Sequence, residues 1–236
     1  MTTCEWKGIQ MDLIEAVKAR KSVRGFLDKK VPREVVAEIL DLAIRAPSAM
    51  NTQPWEFYVL AGEVLDEIRR QNVEWLRAGN MPQPDHLVVG WPNEGVYRRR
   101  QVDLAKQLFS LMGIAREDKQ ARAGWLERGF RFFDAPVAVI VLADACLTEG
   151  GPLMDIGAML QTLCLAALDF GLGTCIEDQG VLYPGVLRRL AGIPADKRIM
   201  MSVALGYPDP DFPANAVASP REPVENITTW FGFGEE

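Results

Sequence analysis

Apolar residues recur at helical spacing along most of this chain, interrupted by short stretches in which they alternate or run together. Asp12-Leu13-Ile14-Glu15 has the form of a variant capping box and predicts a helix running to about Lys21. Val35, Val36, Ile39, Leu40, Ala43 and Ile44 share one helical face, predicting a second helix from Pro32 to a stop at Pro47. Glu56 to Leu60 alternates and is aromatic and β-branched, as in a strand, and a helix from about Glu63 to Arg77 follows. Residues 78–95, rich in Pro and Gly, read as an irregular excursion; helices are predicted at Val96–Met112 and Glu117–Arg128. Ala135 to Ala143 is an almost unbroken apolar run, expected of a strand buried on both faces.

Pro152 to Phe170 is apolar nearly all round, so this long helix must bury itself in the core or against another subunit; Gly171 ends it. A short strand at Thr174–Glu177, a helix at Pro184–Ala191 and a strand at Arg198–Leu205 complete the pattern. Helices gathered around a few non-consecutive strands indicate an α+β fold, and residues 1–236 read as one domain. From Tyr207 to Glu236 the periodicity is lost and five prolines appear, predicting an extended arm whose Ile227, Trp230 and Phe231 need a surface to cover.

Composition narrows the chemistry. At 236 residues and 48% hydrophobic, the chain can bury a large core, and its net charge of −6 argues against nucleic acid as the main partner. Arg98-Arg99-Arg100 is the only dense basic run and reads as a solvated helix face. Cys4, Cys146, Cys164 and Cys175 sit at irregular spacings with no CxxC pair, which suits a reducing compartment and indicates neither a zinc site nor a disulfide framework. The first 30 residues lack the apolar run of a secretory signal, and the 152–173 stretch is broken by Asp155, Gln161 and Asp169, so no membrane span and a cytoplasmic location are expected. The single histidine, His86, lies in a Pro-rich stretch. A hydrolase triad or multi-histidine metal site would have to be built around it alone, so a cofactor is the better source of reactive atoms.

Two segments carry most of the remaining information. Arg20-Lys21-Ser22-Val23-Arg24 offers three cations and a hydroxyl; Pro47-Ser48-Ala49-Met50-Asn51-Thr52-Gln53-Pro54-Trp55 sets small polar side chains between two prolines expected to hold the backbone extended. By itself the first could be a solvated helix end complementing the helix dipole, and the second a turn packed by Gln53, Pro54 and Trp55. Together they suit a phosphorylated, planar, hydrogen-bonding cofactor. Gly171-Leu172-Gly173-Thr174-Cys175-Ile176-Glu177-Asp178, Arg131-Phe132-Phe133-Asp134-Ala135-Pro136 and Ser219-Pro220-Arg221-Glu222-Pro223 are three further stretches of the same pattern.

In these segments the chain resembles the nitroreductase family of FMN-dependent oxidoreductases. The resemblance implies a mixed sheet surrounded by helices, a C-terminal arm exchanged in a homodimer, and FMN at the subunit interface. It places Arg20, Ser22 and Arg221 at the FMN phosphate, Arg24 at the flavin pyrimidine edge, and Lys21 near the ribityl chain. Pro47, Ser48 and Asn51 would meet the flavin of the neighbouring subunit, with Met50 facing substrate. The Glu177 backbone N–H would donate to flavin N5, with Cys175, Ile176 and Asp178 lining the ring. Cys175 and Asp178 stand where the family often has Pro and Gly, and Ser219 replaces a usual Lys.

The activity implied is two-step hydride transfer, from NADPH or NADH into FMN and then to a nitroaromatic, quinone or other small aromatic electron acceptor. No GxGxxG fingerprint is present, which agrees with a nicotinamide that stacks on flavin instead of entering a Rossmann crevice. Residues 78–130 are expected to roof the substrate pocket. Flavin or enone reduction, reductive dehalogenation and oxidative flavin breakdown use the same scaffold, and a non-catalytic flavin-binding protein is the alternative of another class.

Overall fold

A computed structural model describes residues 11–87, 90–148 and 150–234 of the chain. The expectation for Cys4 lies outside these residues. The described elements are helices α1 (Leu13–Ala19), α2 (Arg33–Ala43), α3 (Gly62–Arg77), α4 (Gly95–Leu111), α5 (Lys119–Phe130), α6 (Gly150–Asp169) and α7 (Pro184–Ala191), and strands β1 (Glu56–Ala61), β2 (Val137–Asp144), β3 (Gly173–Glu177) and β4 (Lys197–Gly206). The sheet order is β1-β2-β4-β3, and every pairing within it is antiparallel. Among the described residues, the parallel component expected of a mixed sheet is confined to one bridge between Ser22 and Thr174.

Strand periodicity decides the layers. Along β2, Val137, Val139, Val141 and Ala143 join a core with Val35, Ile39, Met159 and Leu163 from α2 and α6. The intervening Ala138, Ile140 and Leu142 join a second core with Leu65, Ile68, Phe130 and Leu187 from α3, α5 and α7. Both faces of the strand are therefore covered, as its unbroken apolar run required. A fully buried Leu or Ile contributes roughly 1.5–3 kcal/mol, so these two cores supply the main driving force for the α/β/α layering.

Two local expectations change. Asp12 caps α1 as expected, its Oδ1 accepting from the Ile14 and Glu15 amides at 2.7 and 3.1 Å. The helix nevertheless ends at Ala19, because Arg20 turns extended (φ −57°, ψ 123°), so the basic segment is not a helix end. Between Pro47 and Pro54 the backbone is not extended either. Residues Ala49–Asn51 form a single 3-10 turn, with Met50, Asn51 and Gln53 at φ 52°, 58° and 46°.

Helix α6 meets the requirement set by its composition only in part. Ile156, Met159, Leu163 and Ala167 are buried, whereas Met154 is 80% exposed. By length and composition alone it could cross a membrane; in this fold it packs on α2 and β3. Beyond β4 the described residues run without α-helix or strand, apart from 3-10 turns at Pro213–Ala216 and Val224–Asn226, and leave Ile227, Trp230, Phe231 and Phe233 exposed. The 78–95 excursion is anchored: the Asp85 carboxylate pairs with Arg188 at 2.8 Å and accepts from the Ile199 amide at 2.8 Å.

Candidate active site

Strand β3 lies at the sheet edge, and residues 22–23 cover its open side. The Val23 amide donates to the Thr174 carbonyl at 2.9 Å beside the Ser22–Thr174 bridge. An edge strand left bare would expose unpaired backbone groups, so this short pairing both protects β3 and fixes the basic segment. Extended backbone sends alternate side chains to opposite sides. Arg20, Ser22 and Arg24 are accordingly half-buried, while Val23 and Gly25 are buried. Glycine is needed at 173 for this approach, since a Cβ there would stand 2.6 Å from Val23 and 2.8 Å from Pro208.

Two residues missed at the sequence level hold the segment. Asn215 is buried; its Oδ1 accepts from the Arg24 and Gly25 amides at 2.7 and 3.2 Å, and its Nδ2 donates to the Gly25 and Asp209 carbonyls at 2.8 and 2.9 Å. Its own carbonyl accepts from the Lys21 ammonium at 2.7 Å. Lys21, expected near a ribityl chain, is thus directed to the tail in this structure. Arg128, at the end of α5, donates to the Arg24 carbonyl at 3.1 Å, pairs with Asp134 at 3.0 Å and lies over the Phe212 ring at 4.7 Å. No sequence pattern marks either residue: one sits in a Pro-rich tail, the other in a helix with no marked apolar face.

At the far end of β3 the Glu177 side chain is buried. Its Oε2 accepts from the Gly180 amide at 2.8 Å, closing the turn that follows the strand. Ser202, opposite Glu177 in the register, is fully buried and places Oγ 2.9 Å from the Glu177 carbonyl oxygen and in hydrogen-bonding contact with Glu177 Oε1. A hydroxyl has one proton and cannot donate to two oxygens at once. Both contacts are satisfied when Ser202 donates to the carbonyl and a protonated Glu177 donates to Ser202. Burial drives the acid the same way, raising its pKa from the ordinary 4.5 to about 8.

The described thiols all favour their protonated form. Burial pushes the Cys175 thiol up to about 12 and also raises Cys164, while a hydrogen bond to the Asp144 carboxylate raises Cys146. Cys175 therefore acts as a packing residue, with Ser22 and Arg24 close enough to influence its thiol. Among the described residues, no group of three His, Cys, Asp or Glu side chains could hold a metal.

The second predicted segment is placed but open. Ser48 Oγ accepts from the Gln53 amide at 3.0 Å, and the Ala49 amide donates to Asp155 of α6 at 3.2 Å. Pro47, Met50 and Asn51 are exposed, Met50 by 96%. Ile176 and Asp178 are half-buried beside Glu177. Among the described residues, Arg221 donates only within its own tail, to Ser219 O and Oγ at 2.8 and 3.0 Å and to Pro220 O at 3.2 Å. It shares a cavity of about 790 Å³ with Arg99 and Arg100. Among the described residues, then, contacts join Arg20–Arg24 to β3, but none joins Arg221 to them.

Residues 17–207 match the family model described as the nitroreductase family. The chain is 36% identical over 217 residues to a chloronitrobenzene nitroreductase of Comamonas testosteroni, covering 92% of this chain and 95% of that one. The FMN and NADPH-dependent nitroreductase NfnB from Sphigopyxis sp. strain HMH superposes with a TM-score of 0.89 at 28% identity, covering 94% of this chain and all of that one. The FMN-dependent nitroreductase NfnB from Mycobacterium smegmatis, solved in complex with NADPH, gives a TM-score of 0.86 at 28% identity, covering 93% and 100%. The family match stops short of Arg221.

Proposed function

Because this chain belongs to the nitroreductase family, we propose that it is a homodimeric FMN-dependent oxidoreductase that takes hydride from NADPH and reduces nitroaromatic compounds in two steps. The observation that carries this reading is the extended Arg20–Arg24 segment laid along β3 and clamped by Asn215 and Arg128. The donor set fits FMN: guanidinium forks and a hydroxyl suit a phosphate dianion, and a cation near the pyrimidine edge favours negative charge on the ring. When bound, FMN supplies the atom that receives hydride from the nicotinamide and passes it to the acceptor.

The chain's own residues bind and orient. Arg20 and Ser22 take the phosphate. Arg24, held through its amide and carbonyl, meets the ring edge. The turn closed by Glu177 and Gly180 fixes the strand end whose Glu177 N–H would be offered to the flavin N5. The left-handed turn at Met50 and Asn51 serves the partner's site, because its polar groups face outward; α6 and the exposed aromatic arm supply apolar surface for that partner. The conservative placement of such a protein is the cytoplasm.

The test is a visible spectrum of the purified protein. Flavin bands should bleach on anaerobic addition of NADPH and return with a nitroarene, and Arg20→Ala should weaken FMN binding roughly tenfold to a hundredfold, the equivalent of one charge-assisted bond. A colourless protein that FMN does not stabilise would remove the reading.

A further inference from the structure

The two sides of α4 differ in how their charge is compensated. Toward the tail, Arg99 and Arg100 share their cavity with Asp103 and Glu222, and Arg100 pairs with Glu222 at 2.7 Å. Toward α5, a groove of about 760 Å³ carries Arg98, Lys106, Arg116 and Arg122 around Val102 and Phe109, and no acidic side chain lines it. Lys106 reaches Asp103 only at 4.0 Å, and Arg98 contacts the neutral Gln101 at 3.4 Å. Among the described residues, no ion pair involves Arg98, Arg116 or Arg122. The Arg122 guanidinium lies over the Phe109 ring at 4.7 Å. Three arginines without ion-pair partners, beside a lysine paired only at 4.0 Å and on a chain of net charge −6, make a local well for an anion.

The lining narrows the anion. Two arginines match a phosphate monoester, and an aromatic floor with a guanidinium above it matches a flat ring attached to that phosphate. The volume falls within the range of small-ligand sites, roughly 300–1,000 Å³. Arg122 precedes Arg128 by six residues in α5, about 9 Å along the helix axis. Arg128 touches Arg24, so one helix links this groove to the basic segment of the candidate site.

We propose that the α4–α5 groove binds the 2′-phosphoadenosine end of NADPH and sets the preference for NADPH over NADH. This rests on the functional reading above, and its own test does not require turnover. Binding of 2′,5′-ADP to the purified protein is measured by calorimetry against 5′-AMP, benzoate and inorganic phosphate, then repeated with Arg116→Ala and Arg122→Ala. The expected result is binding of 2′,5′-ADP at least tenfold tighter than the three controls and at least tenfold weaker in each variant. In turnover, the ratio of the KM for NADPH to that for NADH should rise about tenfold in each variant. Undiminished 2′,5′-ADP binding in both variants, or equal binding of benzoate or phosphate, overturns the proposal even if NADPH reduces the flavin. Arginine-dependent 2′,5′-ADP binding by a protein that holds no flavin supports the groove and rejects the functional reading.

Discussion

Residues 20–25 and 47–53 both carry polar groups expected of a cofactor site, yet they are held in opposite ways. The first is paired to β3 and clamped by Asn215, so its amides and carbonyls find partners within the chain. The second keeps Met50, Asn51 and Gln53 in left-handed backbone, which costs an L-residue roughly 1–2 kcal/mol, and exposes most of its side chains. The clamped segment is complete in one copy of the chain. The strained one gains little from its own copy, which fits a surface built to be covered by another molecule.

The largest effect on this comparison should come from pH. Native Glu177 keeps its proton to about pH 8, whereas the unfolded chain releases it near 4.5. The native state therefore binds more protons between those values. Its stability is fully present below about pH 4.5 and falls as pH rises to about 8, by up to ~1.4 kcal/mol per pH unit. Glu177→Gln keeps a neutral donor toward Ser202 and should flatten the dependence; urea unfolding of both proteins at pH 5, 6.5 and 8 measures it. Equal slopes would show that the clamped half does not depend on a shared proton.

A smaller loss is expected from Asn215→Ala, which leaves the Arg24 and Gly25 amides and two carbonyls without their buried partner. At ~1–3 kcal/mol for an unsatisfied buried group, with solvent entering to relieve some of them, the expected destabilisation is about 3 kcal/mol. Thermal unfolding reads it, and an unchanged midpoint would mean the segment is held by its β3 pairing alone. The smallest effect belongs to the open half. Met50→Gly relieves a left-handed residue but adds chain entropy to the unfolded state, so the net gain should be under ~1 kcal/mol. A clear loss of stability in the same assay would show that the Met50 side chain makes contacts that hold the turn.

Much of the fold was legible in the chain. The apolar periodicity located each helix and strand to within a few residues, because burying one face of each element is a local pattern. The even and odd positions of β2 already implied two covering layers. The candidate site was suggested as a set of residue types, in the Arg20–Arg24, Pro47–Trp55 and Gly171–Asp178 segments, and through resemblance more than through chemistry alone.

What the chain could not disclose by itself is how those segments are held. Arg20 leaves the helix because Thr174 offers its neighbours a pairing, and Thr174 is about 150 positions away. Asn215 and Arg128 matter because folding brings an amide and a guanidinium to either side of the Arg24 backbone. Glu177 is an ordinary acid in sequence; only its desolvation in the folded core, outweighing the hydrogen bonds with Ser202 and Gly180 that favour the carboxylate, makes the neutral form the stable one. Local pattern fixes which surfaces must be hidden, whereas hydrogen-bond partners and desolvation depend on residues far apart in the chain, and those are decided when the layers close.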